Sequence, residues 1–261
     1  MGESNQSLGS PWYVKDRLPC RWSRIDLQPR DIRLLQTLLE QKFLSCEQIQ
    51  NYFFGGKTRY AYLRIWKLRR FGLIDRLWVG FTRHNLYLAT ESAHDYFRDQ
   101  FVEVPAPFSA PDLRSLSHDL LVTDIRFLFE RMGFGASWTS ERTWRMGRSV
   151  RLWAPDAIIR VGGDPFALEV ECVQKMDRRY EEIFSRYQDD PEIAACLYVT
   201  SESLLGALME RAKHFPRIYF TTLPELFEKK EETVFRSSEG RFLSVEDNLE
   251  SKLKQEGSPL R

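Results

Sequence analysis

The chain has 261 residues, enough for two domains with separate cores, and its 43% hydrophobic and 13% aromatic content excludes a disordered polar polymer. The net charge of +1 conceals a split: residues 1–100 hold 16 Lys and Arg against 10 Asp and Glu, and the remainder holds 22 against 27, so one half is suited to meet a polyanion. No apolar run approaches the ~18 residues of a membrane span, no secretory leader is legible, and Cys20, Cys46, Cys172 and Cys196 show neither a CxxC pair nor a disulfide framework. A cytoplasmic protein is the expectation, with Cys172 and Cys196 as small core residues inside apolar runs.

Residues 1–24 read as a loose, basic-aromatic arm. Helical spacing begins after Ile25, with Pro29 in a first turn and Ile32, Leu35, Leu38 and Leu39 on one face. Ser45 and Gln48 stand at capping-box spacing ahead of Ile49, Tyr52 and Phe53, and Gly55-Gly56 stops that second helix. A third helix, capped by Thr58, runs to Phe71. Leu73–Val79 and Asn85–Ala89 alternate as two strands around residues 80–84, and a helix follows from Thr90. Three short helices and a hairpin are the order of a winged helix-turn-helix over residues 25–100. Pro105, Pro107 and Pro111 mark residues 101–115 as a linker.

Beyond the linker the pattern changes. A helix over about 116–132 precedes strands at Ala136–Arg142, Ala154–Val161 and Phe166–Val173. Then come a helix (177–189), a strand (Ala195–Ser201), a helix (202–213), a strand (Arg217–Thr222) and a short helix from Leu223. The expectation is an α/β sandwich with a mixed sheet over residues 116–230, and a charged tail over 231–261.

Two stretches carry chemistry. Within Lys57–Arg76 there are seven basic residues and the single acid Asp75. Ala61, Ile65, Leu68 and Phe71 form the buried stripe, leaving Lys57, Arg59, Tyr60, Arg64, Lys67 and Arg70 for a DNA major groove. Arg83 and His84, at the hairpin tip, are placed to touch an adjacent backbone or minor groove. The alternative is an ordinary solvated face, though such faces usually mix signs.

The second stretch runs from Asp156 to Lys175. Strand alternation puts Glu169 and Glu171 on one face, Asp156 can join them from the preceding strand, and three such oxygens suit Mg²⁺. This spacing resembles the PD-(D/E)xK nuclease motif, and the α-β-β-β-α-β order resembles its restriction-endonuclease-like core. Glu171 stands where that motif has Lys, and Lys175 is then the displaced cation. A structural network with Arg142, Arg160 or Arg178 is the alternative. His118, near a helix start, reads as a packing or capping residue before a catalytic base.

Taken in order, several short motifs resemble the replication-relaxation family of plasmid and mobile-element proteins. They are Arg30-Asp31, Leu44 to Phe54, Leu68-Arg69-Arg70-Phe71-Gly72-Leu73-Ile74, Leu86-Tyr87-Leu88-Ala89-Thr90, Ser117-His118-Asp119, Pro155-Asp156 and Glu169-Val170-Glu171. The resemblance implies a winged helix acting on double-stranded DNA in plasmid replication or mobilisation, with an appended nuclease-like domain; a homodimer or mobile-element proteins are the further partners expected if the second domain is a scaffold. Three readings stay open: a non-enzymatic DNA-binding protein, a Mg²⁺-dependent DNA endonuclease with Asp156, Glu169, Glu171 and Lys175 as its site, and a transcriptional regulator.

Overall fold

A computed structural model describes residues 25–79, 85–109, 112, 114–134, 137–148, 153–161 and 163–245, and the backbone of 13–16. The chain divides into two units, Met1–Leu120 and Leu121–Arg261. The protein is a mixed α/β structure, with a four-stranded antiparallel sheet in the first unit and a seven-stranded mixed sheet in the second.

In the first unit, β1 (Tyr13–Asp16) is an edge strand, so part of the expected loose arm is ordered. Helix α1 (Pro29–Gln41) starts on Pro29, whose fixed φ suits a first turn. Its N-terminus is closed by Asp31, which accepts from the Gln28 backbone N–H at 2.8 Å. Leu34, Leu35, Leu38 and Leu39 are buried from one side of it. The short β2 (Leu44–Ser45) leads into α2 (Cys46–Gln48), and Ser45 and Gln48 form the capping box that their spacing predicts. The helix then widens into a π turn over Ile49–Phe53. Gly55 and Gly56 end it with φ of +55° and +76°, a left-handed pair that side-chain-bearing residues resist.

Helix α3 (Thr58–Arg70) buries Ala61, Ile65 and Leu68, as the spacing predicts, whereas Phe71 caps its C-terminus and is only half-buried. Thr58 is its first residue and makes no cap; Lys57 holds the cap position without a side-chain bond. Strands β3 (Ile74–Val79) and β4 (Asn85–Ala89) pair antiparallel, Ile74 opposite Ala89 and Trp78 opposite Asn85. β2 adds to the far edge of β4. Helix α4 (Glu91–Asp99) is capped by Thr90, whose hydroxyl accepts from the Ala93 N–H.

The proline-containing segment after α4 is not bare: Val104 is buried, and Phe108 packs against Phe43. α5 (Leu116–Phe129) begins in the first unit, where Leu116 joins the cluster of Phe43, Leu77, Leu86 and Leu88. Asp119, on its first turn, accepts from Lys42 Nζ at 2.7 Å. Burial works against this carboxylate, yet His118, Lys42 and Ser115 together hold it below the usual range. An acid depressed in the fold stabilises above its unfolded value of 3.8, and that contribution disappears as pH falls through the lower folded value. Asp119→Asn is therefore expected to lower stability at neutral pH by about 1–3 kcal/mol. Urea unfolding of the two chains should converge at acid pH; a difference that persists there would refute the linkage.

In the second unit a π turn (Glu130–Phe134) follows α5. Then come β5 (Trp138–Ser140), α6 (Glu141–Arg145), β6 (Ala157–Val161), β7 (Asp164–Glu171), α7 (Asp177–Asp189), β8 (Ala195–Thr200), α8 (Glu202–Arg211), β9 (Ile218–Thr222) and α9 (Leu223–Lys229). The expected first strand is shorter than its pattern: Ser140 caps α6 by accepting from the Thr143 N–H, which takes Glu141 and Arg142 out of the sheet. Strands β5, β6 and β7 form an antiparallel meander, and β8 and β9 continue in parallel with β7.

Residues 231–245, expected as the start of a charged tail, are structured. β10 (Val234–Arg236) and β11 (Phe242–Ser244) extend the sheet, Phe235 is buried, and Arg236 forks onto Glu225 of α9. Charge-rich composition concealed two three-residue strands whose inward positions are apolar. Both faces of the central sheet are covered, with Val122, Ile125 and Phe129 packing on Leu168 and Val170 from one side. Tyr180, Ile183, Phe184 and Leu208 pack on Ala167, Tyr198 and Phe220 from the other.

Candidate functional sites

The basic helix α3 sorts its side chains cleanly. Lys57, Arg59, Tyr60 and Lys67 are exposed, with Tyr60 at 67%. So are Leu63, as its place off the buried stripe predicts, and Tyr62 and Trp66, two large groups that the sequence reading did not single out. Arg70 stands with its guanidinium 5.4 Å from the centre of the Trp66 ring. The helix contains five basic residues and no acid.

Arg64 departs from its expected role as a groove contact. Its Nε and Nη2 grip the two oxygens of Asp31 at 2.9 and 2.5 Å, and Nη2 also donates to the Asp26 carbonyl. Asp31 is wholly buried and the Arg64 side chain only 17% exposed. The i+3 spacing from Ala61 and the i−1 spacing to Ile65 set Arg64 at the border of the buried stripe, where it meets the N-terminus of α1. A bidentate pair of this kind fixes one helix against another and leaves the fork occupied. Arg83 and His84 lie outside the described residues.

In the second unit, the residues named from the nuclease-like motif gather around the C-terminal half of β7. Glu169 and Glu171 are both buried, at 7% and 5% exposure, on the face that α7 covers. Glu169 Oε1 accepts a very short hydrogen bond from the Tyr187 hydroxyl of α7. Asp156, in the bend before β6, accepts from the Val170 N–H at 2.8 Å. Lys175 places its Nζ 2.6 Å from Glu171 Oε2. Burial works against the Lys175 charge, but Glu171, then Glu169 and Asp156, raise its pKa above the ordinary value, so the ammonium is held charged by all three acids.

Among the described residues, no group of three His, Cys, Asp or Glu side chains converges so as to hold a metal ion. Asp156, Glu169 and Glu171 are thus neighbours in the sheet whose carboxylates do not converge as a three-residue ligand set. The reason is local: each carboxylate is turned to a different donor, Val170 N–H, Tyr187 OH or Lys175 Nζ. The arginines weighed as partners go elsewhere, Arg160 to the Gly163 carbonyl and Arg178 to Glu182. Burial pushes Arg142 down to about 10 against the opposing pull of Glu141, which leaves it protonated at neutral pH.

Around Glu169 the interior is unusually polar. Tyr198 stands opposite Glu169 in the parallel β7–β8 register, and Cys196 opposite Ala167. Burial, then Glu169, push the Tyr187 and Tyr198 phenols and the Cys196 thiol well above their ordinary values, so all three stay neutral. Cys196 is in the core as expected, but Cys172 is exposed, because the strand ends at Glu171. His118 stands 3.9 Å from Asp119, half-exposed in the first turn of α5.

No protein-family model, curated protein or solved structure matches the chain. No helix among the described residues is long and apolar enough to cross a membrane.

Proposed function

We propose that this chain binds double-stranded DNA, with its first unit acting as a winged helix-turn-helix and α3 as the helix presented to the major groove. The observation that carries the reading is the outer face of α3, where Lys57, Arg59 and Lys67 are exposed on a helix that has no acid. Two further features support it. The succession α1, β2, α2, α3, β3, β4, with β2 paired onto β4, is the element order a winged helix needs. The Arg64–Asp31 clamp holds α3 rigidly against α1, so the exposed cations are displayed on a fixed support. The resemblance to replication-relaxation proteins makes replication or mobilisation of a plasmid the setting we propose.

Fluorescence anisotropy with a labelled duplex tests this. The parent chain should bind with log affinity falling linearly as log salt rises, because each neutralised phosphate releases counterions. Arg59→Glu combined with Lys67→Glu should reduce affinity by at least about 100-fold, because two attractions to phosphate become two repulsions. Both side chains are exposed, so the thermal melt should stay in place. Unchanged affinity would refute the assignment of α3.

A second reading, cleavage of the bound DNA, has one observation in its favour. Asp156, Glu169, Glu171 and Lys175 come together at one end of β7, and an antiparallel meander, a helix and a parallel strand surround them in the order of a PD-(D/E)xK core. The ion pair and hydrogen bonds that occupy these acids favour a charge-compensated scaffold over a nuclease. Incubation with supercoiled plasmid in Mg²⁺ or Mn²⁺ decides between them: nicking that vanishes in Glu169→Ala would establish the enzyme.

A further inference from the structure

The C-terminal half of α3 and the segment that enters α1 enclose a cleft of about 470 Å³, within the size range of small-molecule sites. Trp66 and Phe71 give it apolar walls, and Lys67, Arg70 and Arg64 line it with cations. Gln28 and Asp26 supply amide and carboxylate groups at the rim, tied to each other by a 2.7 Å hydrogen bond. Arg64 is neutralised by Asp31, so the charge the cleft offers a ligand comes from Lys67 and Arg70 against Asp26 alone.

Two details identify the kind of ligand. Trp66 is 50% exposed, with the Arg70 guanidinium over its ring. The Arg70 Nε–H is buried and has no acceptor among the described residues. The part-exposed guanidinium that carries it lines the cleft, and a phosphate oxygen is a guanidinium's strongest natural partner. An indole next to it suits a flat, aromatic group. Phosphate and aromatic ring in one molecule describe a nucleotide.

The bases of an intact duplex are stacked on one another and offer a groove only their edges, so the faces of Tyr60, Tyr62 and Trp66 gain little from paired DNA. They gain from a base that has left the stack, where an aromatic side chain replaces the lost neighbour. We infer that the cleft receives an unpaired nucleotide of the bound DNA, its base stacked on Trp66 and its phosphate held by Arg70 and Lys67. This rests on the DNA-binding reading above and narrows it: the preferred substrate is duplex DNA with a locally unpaired base.

The experiment compares a labelled duplex with the same duplex carrying one extra, unpaired thymidine, by anisotropy at fixed salt, with thymidine 5′-monophosphate as a third probe by calorimetry. The parent chain should bind the bulged duplex at least about fivefold tighter than the paired one. Trp66→Phe should keep that preference and Trp66→Ala should abolish it. Equal parent affinity for the two duplexes overturns the inference and leaves DNA binding standing. Binding of the mononucleotide with neither duplex bound overturns both, assigning the cleft to a free nucleotide.

Discussion

Asp31→Ala is expected to destabilise the chain by about 3–5 kcal/mol, the effect of removing one partner from a buried ion pair. Asp31 is fully buried, and its two oxygens receive the Arg64 fork and the Gln28 N–H. Arg64→Ala should lose somewhat less, because the 17% exposure of its side chain lets water reach the abandoned carboxylate. Urea unfolding followed by circular dichroism measures both. A loss below about 1 kcal/mol in each, the range of exposed pairs, would mean that the clamp is a surface contact. The same data bear on DNA binding: Arg64 variants should lose affinity only as far as they unfold, whereas Lys67 variants lose affinity while folded.

The second large effect is a contrast between two buried tyrosines that share a carboxylate neighbour. Tyr187→Phe removes the hydroxyl that donates to Glu169 and leaves a buried acid short of a donor, at a cost of about 1.5–3 kcal/mol. The Tyr198 hydroxyl has no hydrogen-bond partner among the described residues, although its ring lies in the same core. Removing it deletes an unsatisfied buried group, so Tyr198→Phe should be neutral or stabilising by up to about 1 kcal/mol. Thermal denaturation of the two single variants suffices. A loss in Tyr198→Phe equal to that in Tyr187→Phe would show that both hydroxyls belong to one bonded network.

Much of the fold was legible because its periodicities are local. The Ser45–Gln48 box, the Ala61, Ile65 and Leu68 stripe, and the strands at Asn85–Ala89 and Ala195–Thr200 follow from spacing and capping alone. Other features depended on partners far along the chain. Arg64 looks like any groove arginine until Asp31, on another helix, takes its fork. Glu169 and Glu171 share a face by alternation, yet their neighbours Tyr187 and Lys175 come from beyond the strand, and these decide how each carboxylate is turned. The missed strands β10 and β11 are three residues each, too short for a period to register. The exposed apolar groups of α3 did leave a signal: Tyr62, Leu63 and Trp66 fall off the buried stripe and are too large for a merely solvated face.

The seven-stranded sheet has a property that bears on how the second unit is made. Its strands stand side by side in the order in which they are synthesised, from β5 at one edge to β11 at the other. Every strand therefore finds its partner in the segment just before or just after it, and the longest connection to be closed, residues 172–194, contains α7 itself. Loop-closure entropy grows with the length enclosed, so no pairing waits for a distant segment to arrive. Such a sheet can be assembled by accretion, strand upon strand, each pairing closing only the segment just made.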